Sequence, residues 1–406
     1  MTAQHAAAPR QAPTQALRRA AARAPARAAR GEPAAVPTLP APRGPLSRAV
    51  VDVLSAGPPP GPAHGSPHDP AQGPAFEGAL AGRDAWAAVR AADPYGDDLQ
   101  LALHTCFELH YRGFAGVDPD WEWDPDLLRL RRAMEEAFLA ALRRDVPGGA
   151  DVDAALAGLL TEPVDASGVT HHLRGEGEWW QLLEHAALRS VYHLKEADPH
   201  AWVIPRLRGR AKTALVAVEH DEFGGGRPEM IHQGLYAGLL DDLGLDPSYG
   251  AYVDAAPAVM LATVNMMSLF GLRRSLRAAL VGHFAAAEIT TAPSARRMAR
   301  ALERLGAGPR AVLFYTEHIE ADAVHEQVLR HDVIGGLLEQ EPELAGDVVL
   351  GVQATCLLED RLAAHLLEHW RGRPPRSALR HPPPGFPAGP VSGPANGPVS
   401  GSVSGE

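Results

Sequence analysis

Phe314-Tyr315-Thr316-Glu317-His318-Ile319-Glu320-Ala321-Asp322-Ala323-Val324-His325-Glu326 is the stretch whose reading decides the fold. It contains no helix breaker. Thr316 and Glu317 suit a helix start, so a helix is expected from Thr316 to Arg330. At about 100° per residue, Asp322 falls roughly 40° round from His318 and His325 roughly 20° the other way. Two imidazoles and a carboxylate therefore share one stripe, beside Ala321 and Val324. One His–Asp pair would read as a solvated face. Three potential ligands on one stripe are what an inward-facing metal site in a helix bundle requires, with further ligands coming from other helices.

The rest of the chain supplies such helices. Amphipathic runs are read at Leu99–Phe114, Pro125–Arg144, Asp151–Leu160, Glu178–Leu194, Ile204–Glu222 and Glu229–Leu243. They continue at Ala258–Phe270, Leu272–Thr290, Ser294–Leu305 and Glu343–Arg371. Almost no alternation of strand length appears, so the expected class is all-α, most simply a bundle. Residues 1–83 are rich in Ala, Pro and Arg, then Gly and Pro. They read as a disordered arm in which only Leu46–Leu54 could form a short helix. Residues 372–406 repeat Pro-Val-Ser-Gly-type units and read as a disordered tail.

Of 406 residues, 46% are hydrophobic and 21% charged, enough apolar content for a sizeable core. Cys106 and Cys356 lie far apart with no CxxC spacing. This argues against a disulfide framework, a cysteine zinc site or an iron–sulfur cluster, and points to a reducing, cytoplasmic setting. The net charge of −11 hides an asymmetry: residues 1–50 hold eight arginines against Glu32 alone, leaving about −18 for the remainder. An acidic body does not favour nucleic acid. No secretory h-region and no run of membrane-spanning length is present.

Further ligand candidates come from four places. Glu229 and His232 stand three residues apart, so on one helix they would point the same way. Glu-x-x-His pairs of this kind hold metals in carboxylate bundles. Glu222 precedes a glycine run, Gly224-Gly225-Gly226, that could let it swing toward the same cavity. Glu288 follows an alanine-rich apolar run, where a lone carboxylate is costly unless paired or bound to metal. Glu196 reads either as a last-turn ligand or as a partner of Lys195. Hard oxygen and imidazole donors without thiolate suit iron or manganese rather than structural zinc, which gives a di-iron or di-manganese bundle.

The run Tyr192-His193-Leu194-Lys195-Glu196, then Asp221-Glu222-Phe223-Gly224-Gly225-Gly226, then His318-x3-Asp322-x2-His325, resembles the heme-oxygenase-like di-iron oxidases, the bacterial iron-containing redox enzymes. The resemblance implies a heme-oxygenase-like helical domain over 176–371, preceded by an accessory helical region over 84–175 that would help form a homodimer. It implies Glu229, His232, Glu288, His318, Asp322 and His325 as metal ligands, with Glu196 and Glu222 as the additional carboxylates of the N-oxygenase-like branch. It implies two iron ions, with manganese as the alternative, O2 as co-substrate and no heme. The substrate would be a small amine or carboxylate metabolite, undergoing N-oxygenation, desaturation or oxidative C–C cleavage, with an external electron donor where needed. Tyr192, Lys195, Asn265, Met267 and Tyr315 lie near ligand segments and are candidate pocket residues. A ferritin-like di-iron carboxylate protein would instead show two Glu-x-x-His motifs. A non-catalytic helical scaffold would bind no iron.

Overall fold

The computed structural model describes residues 36–59, 83–163, 165–383 and 386, with the backbone alone for 83, 84 and 320–323. All regular structure among the described residues is helical. In chain order the helices are α1 (Pro45–Ser55), α2 (Arg83–Ala91), α3 (Asp97–Glu108), α4 (Pro125–Asp145) and α5 (Val152–Leu160). Next come α6 (Val169–Gly175), α7 (Trp179–His193), α8 (Asp198–Ala201), α9 (Gly209–Glu222) and α10 (His232–Asp242). The series ends with α11 (Ala258–Leu272), α12 (Arg277–Leu305), α13 (Pro309–Gln327), α14 (Gly335–Gln340) and α15 (Ala345–Trp370). A π-helical segment, Val328–Ile334, joins α13 to α14. The all-α class expected from periodicity is what the chain adopts, and no described helix is long and apolar enough to cross a membrane.

The folded body starts earlier and ends later than composition implied. The short helix expected at Leu46–Leu54 is α1, and Leu46, Val50 and Leu54 on it are fully buried. They belong to the same core as Leu99, Phe107 and Phe138. Burying each such side chain contributes about 1.5–3 kcal/mol, enough to fix a short helix that isolated propensity would not hold. Asp98 secures its start, accepting from the Leu46 and Ser47 amides at 2.9 and 2.7 Å. At the other end Ala378 and Leu379 are buried, and the Ala378 amide donates to Glu184 Oε2 at 3.0 Å. The rest of the expected arm and tail, residues 1–35, 60–82, 384–385 and 387–406, lies outside the described residues.

Two long helices depart from their expected limits. Two helices were expected, Leu272–Thr290 and Ser294–Leu305, yet α12 is continuous through Pro293 between them. Pro293 removes one backbone hydrogen bond. Ile289, Ala292, Ala295 and Met298 are buried on either side of it, and this packing outweighs the loss. The hydroxyls of Thr290, Thr291 and Ser294 also bond carbonyls in that turn. α13 begins at Pro309 rather than Thr316. Proline suits the first helical position, and Asp242 of α10 accepts from the Arg310 and Ala311 amides at 2.7 and 3.2 Å, satisfying donors a helix start leaves open.

α12 is the central helix and packs against both α13 and α15. Its crossing with α15 brings backbone onto backbone. A Cβ on Gly351 would lie 2.0 Å from the Ala279 carbonyl oxygen, and one on Gly282 2.1 Å from that of Val348. Neither position has room for any side chain.

Candidate metal centre

Six side chains form two buried groups. Glu196, His232 and His318 make one, and Glu222, Glu288 and His325 the other; within each, the donor atoms lie within 4.8 Å of one another. Glu196 lies in the turn after α7, Glu222 ends α9, His232 opens α10, Glu288 sits inside α12, and both histidines of the opening stripe project from α13. That stripe therefore serves both groups, His318 the first and His325 the second.

The chain between α9 and α10 shows how local sequence builds the centre. Gly224, Gly225 and Gly226 all take positive φ, at 84°, 60° and 78°. A Cβ on Gly224 would come within 2.4 Å of the Arg227 carbonyl oxygen. This reversal is open to glycine alone. It returns the chain so that Glu222 Oε2 lies 2.8 Å from His232 Nδ1. The other oxygen, Glu222 Oε1, lies 3.6 Å from His325 Nδ1. One carboxylate thus reaches both groups.

The imidazoles are oriented from outside the groups. His318 Nδ1 donates to the Phe314 carbonyl at 2.7 Å, which turns Nε2 toward Glu196 Oε2 at 3.8 Å. His325 directs Nδ1 to Glu288 Oε2 at 3.3 Å and Nε2 to Asp221 Oδ2, also at 3.3 Å. Glu196 Oε2 accepts from His193 Nδ1 at 2.8 Å. Without metal, burial pushes the Glu288 carboxyl up, and Glu222 adds to the effect against the pull of His325. Burial would lower His325, but Glu288, Glu222 and Asp221 together raise it to about 9. Burial also works against ionisation of Glu196, yet His193 and His318 hold it well below the usual carboxylate range.

The donor set fits a hard cation. It is carboxylate and imidazole throughout and deeply buried, and Glu288 Oε2 and His232 Nδ1 face other members of the set without hydrogen-bond geometry. A cluster of three buried carboxylates and three imidazoles is costly unless cations occupy it.

One expected ligand, Glu229, is not brought into the groups. Glu229 and His232 do not share a helix: Pro228–Met230 is a 3-10 turn, and Ile231 is extended (φ −60°, ψ 129°). Glu229 is exposed as a result and lies outside both groups. Asp322 lies on α13, and its side chain falls outside the described residues.

A cavity of about 410 Å³ opens over the centre. Glu196, Glu222, Glu288 and His318 form part of its wall, as do Tyr192, Met267 and Tyr315 of the expected pocket residues. Lys195 and Asn265 do not line it. The Lys195 ammonium is buried against Glu108, and the Asn265 amide donates to the carbonyl and side chain of Gln100, both at 2.8 Å. Arg189 also lines the cavity, in a bidentate pair with Glu359 at 2.8 and 2.5 Å.

Glu219 was not anticipated. It sits three residues before Glu222 on the same face of α9 and is 2% exposed, with no partner for either oxygen. Its only sequence signal is that spacing. Burial, with Glu222, Glu288 and Asp198 nearby, pushes its carboxyl to about 9. In the metal-free protein the fold therefore keeps a proton that the unfolded chain releases above about 4.5. The linked stability falls as pH rises between those values, by up to roughly 1.4 kcal/mol per unit. Glu219→Gln is expected to flatten this slope in urea unfolding of the metal-free protein from pH 5 to pH 9. An unchanged slope would show that Glu219 ionises normally.

No curated protein matches the sequence at a significant level. Residues 183–360, which carry all six residues of the two groups, match the family model described as iron-containing redox enzyme, a family with a heme-oxygenase-like helical fold.

Proposed function

We propose that the two groups hold two iron ions and that the protein is an O2-dependent non-heme di-iron oxidase or oxygenase acting on a small metabolite. The carrying observation is the pairing of two carboxylate–imidazole groups through Glu222, whose oxygens face one group each. Bound iron would supply redox chemistry with O2, which no side chain here provides. Glu196, His232 and His318 would hold one ion, and Glu222, Glu288 and His325 the other, with Asp322 and Glu229 as further candidates. Manganese is the alternative ion, and heme has no part in the reading.

The protein's own residues shape the rest. The cavity reaches the centre and gives a substrate direct access to it. Tyr192, Met267, Phe314 and Tyr315 line it with apolar and aromatic surface that limits water, and the paired Arg189 and Glu359 add polar surface for an amine or carboxylate substrate. His193 is placed to hold a proton at Nδ1 against Glu196. N-oxygenation, desaturation and oxidative C–C cleavage are the outcomes the reading covers. A homodimer, a cytoplasmic setting and an external electron donor belong to the same proposal.

The test is anaerobic reconstitution with Fe(II), counting bound iron, followed by mixing with O2 and recording transient visible absorption. About two ions per chain are expected, and His318→Ala should lose about one. Binding of fewer than about one ion at micromolar affinity, or an unaffected His318→Ala, would sink the proposal.

A further inference from the structure

We infer that Asp221 is a positioning residue for the Glu222–Glu288–His325 half of the centre: it holds the outer nitrogen of His325 so that Nδ1 faces the two glutamates. The inference rests on the di-metal reading above. Asp221 and Glu222 are neighbours at the end of α9, and consecutive helical residues point about 100° apart. Glu222 consequently turns inward, 4% exposed, while Asp221 stays at the rim, 58% exposed. The His325 ring lies between them. Its Nδ1 is 3.6 Å from Glu222 Oε1 and 3.3 Å from Glu288 Oε2, and its Nε2 is 3.3 Å from Asp221 Oδ2.

An imidazole that ligates through Nδ1 must carry its proton on Nε2, and a carboxylate accepting from Nε2 fixes that tautomer and the ring's rotation. Asp221 is placed to do this. The other half of the centre is held differently. His318 is fixed by a main-chain carbonyl, that of Phe314, which no substitution removes. Orientation of the second half therefore depends on a side chain at the protein surface, where replacement disturbs little packing.

The test compares wild type, Asp221→Ala and Asp221→Asn by anaerobic Fe(II) titration, with Mössbauer spectra of the loaded proteins and thermal melts of the metal-free forms. Asp221→Ala is expected to weaken one of the two ions by roughly 10–100-fold and to shift one quadrupole doublet, leaving the other ion and the metal-free melt unchanged. Asp221→Asn keeps a carbonyl acceptor and should recover most of the affinity. The inference is overturned if Asp221→Ala binds both ions as wild type does, weakens both alike or lowers the metal-free melt, or if Asn fails to rescue. Wild type that binds fewer than two ions would defeat the di-metal reading itself, and this inference with it.

Discussion

Lys195→Met is expected to cost roughly 3–5 kcal/mol of folding stability, because it strands a buried carboxylate. Lys195 is 1% exposed and Glu108 2%. The ammonium donates to Glu108 Oε1, the Tyr249 hydroxyl donates to Oε2, and the ammonium stands 4.3 Å from the centre of the Tyr111 ring. Burial alone would raise the Glu108 carboxyl, but Lys195, with His104 and Tyr249, holds it below its usual value of about 4.5. A depressed carboxylate contributes stability that is present above the unfolded value and lost as pH falls through the folded one. The gap between wild type and Lys195→Met should accordingly be widest near neutral pH and narrow below about 4.5. Adding Glu108→Gln should restore part of the loss, since it removes the stranded charge. Urea unfolding across pH measures all three, and a loss below about 1 kcal/mol at neutral pH would show the pair to be dispensable.

Glu222→Ala should have the largest effect on metal. It removes the carboxylate that lies 2.8 Å from His232 of one group and 3.6 Å from His325 of its own. Losing a ligand should exceed the roughly 10–100-fold penalty typical of outer-shell changes. The sharper expectation is that both ions weaken together, where His318→Ala should weaken mainly one. Anaerobic iron titration followed by metal counting separates these outcomes. Retention of one ion at wild-type affinity would mean that Glu222 serves a single site.

Much of the centre was legible in the sequence because its signals are local. The His318 and His325 stripe follows from helix geometry alone, and Glu288 from the cost of an unpaired acid in an apolar helix. What failed depended on backbone details that periodicity does not carry. Glu229 and His232 have the spacing of a helical pair, but Pro228 and the extended Ile231 delay the helix until His232. Lys195 and Asn265 lie near ligands in sequence yet turn into separate buried contacts, with Glu108 and Gln100. Those partners lie 87 and 165 residues away. Glu219 and Asp221 sit within the acidic run Glu219-His220-Asp221-Glu222, which reads as surface, and only the folded structure shows that one is buried and the other reaches His325. α1 was visible as a helix, but its burial depends on α2 and α3.

The contact of Gly282 with Val348, and of Gly351 with Ala279, bears on more than packing. Glu288 is six residues beyond Gly282 on α12, about 9 Å along the axis. With backbone seated on backbone at the crossing, α12 can neither slide along α15 nor draw away from it without opening a void. The glycine notch therefore works as a mechanical datum: the height at which Glu288 enters the centre is set by two residues that touch no ligand.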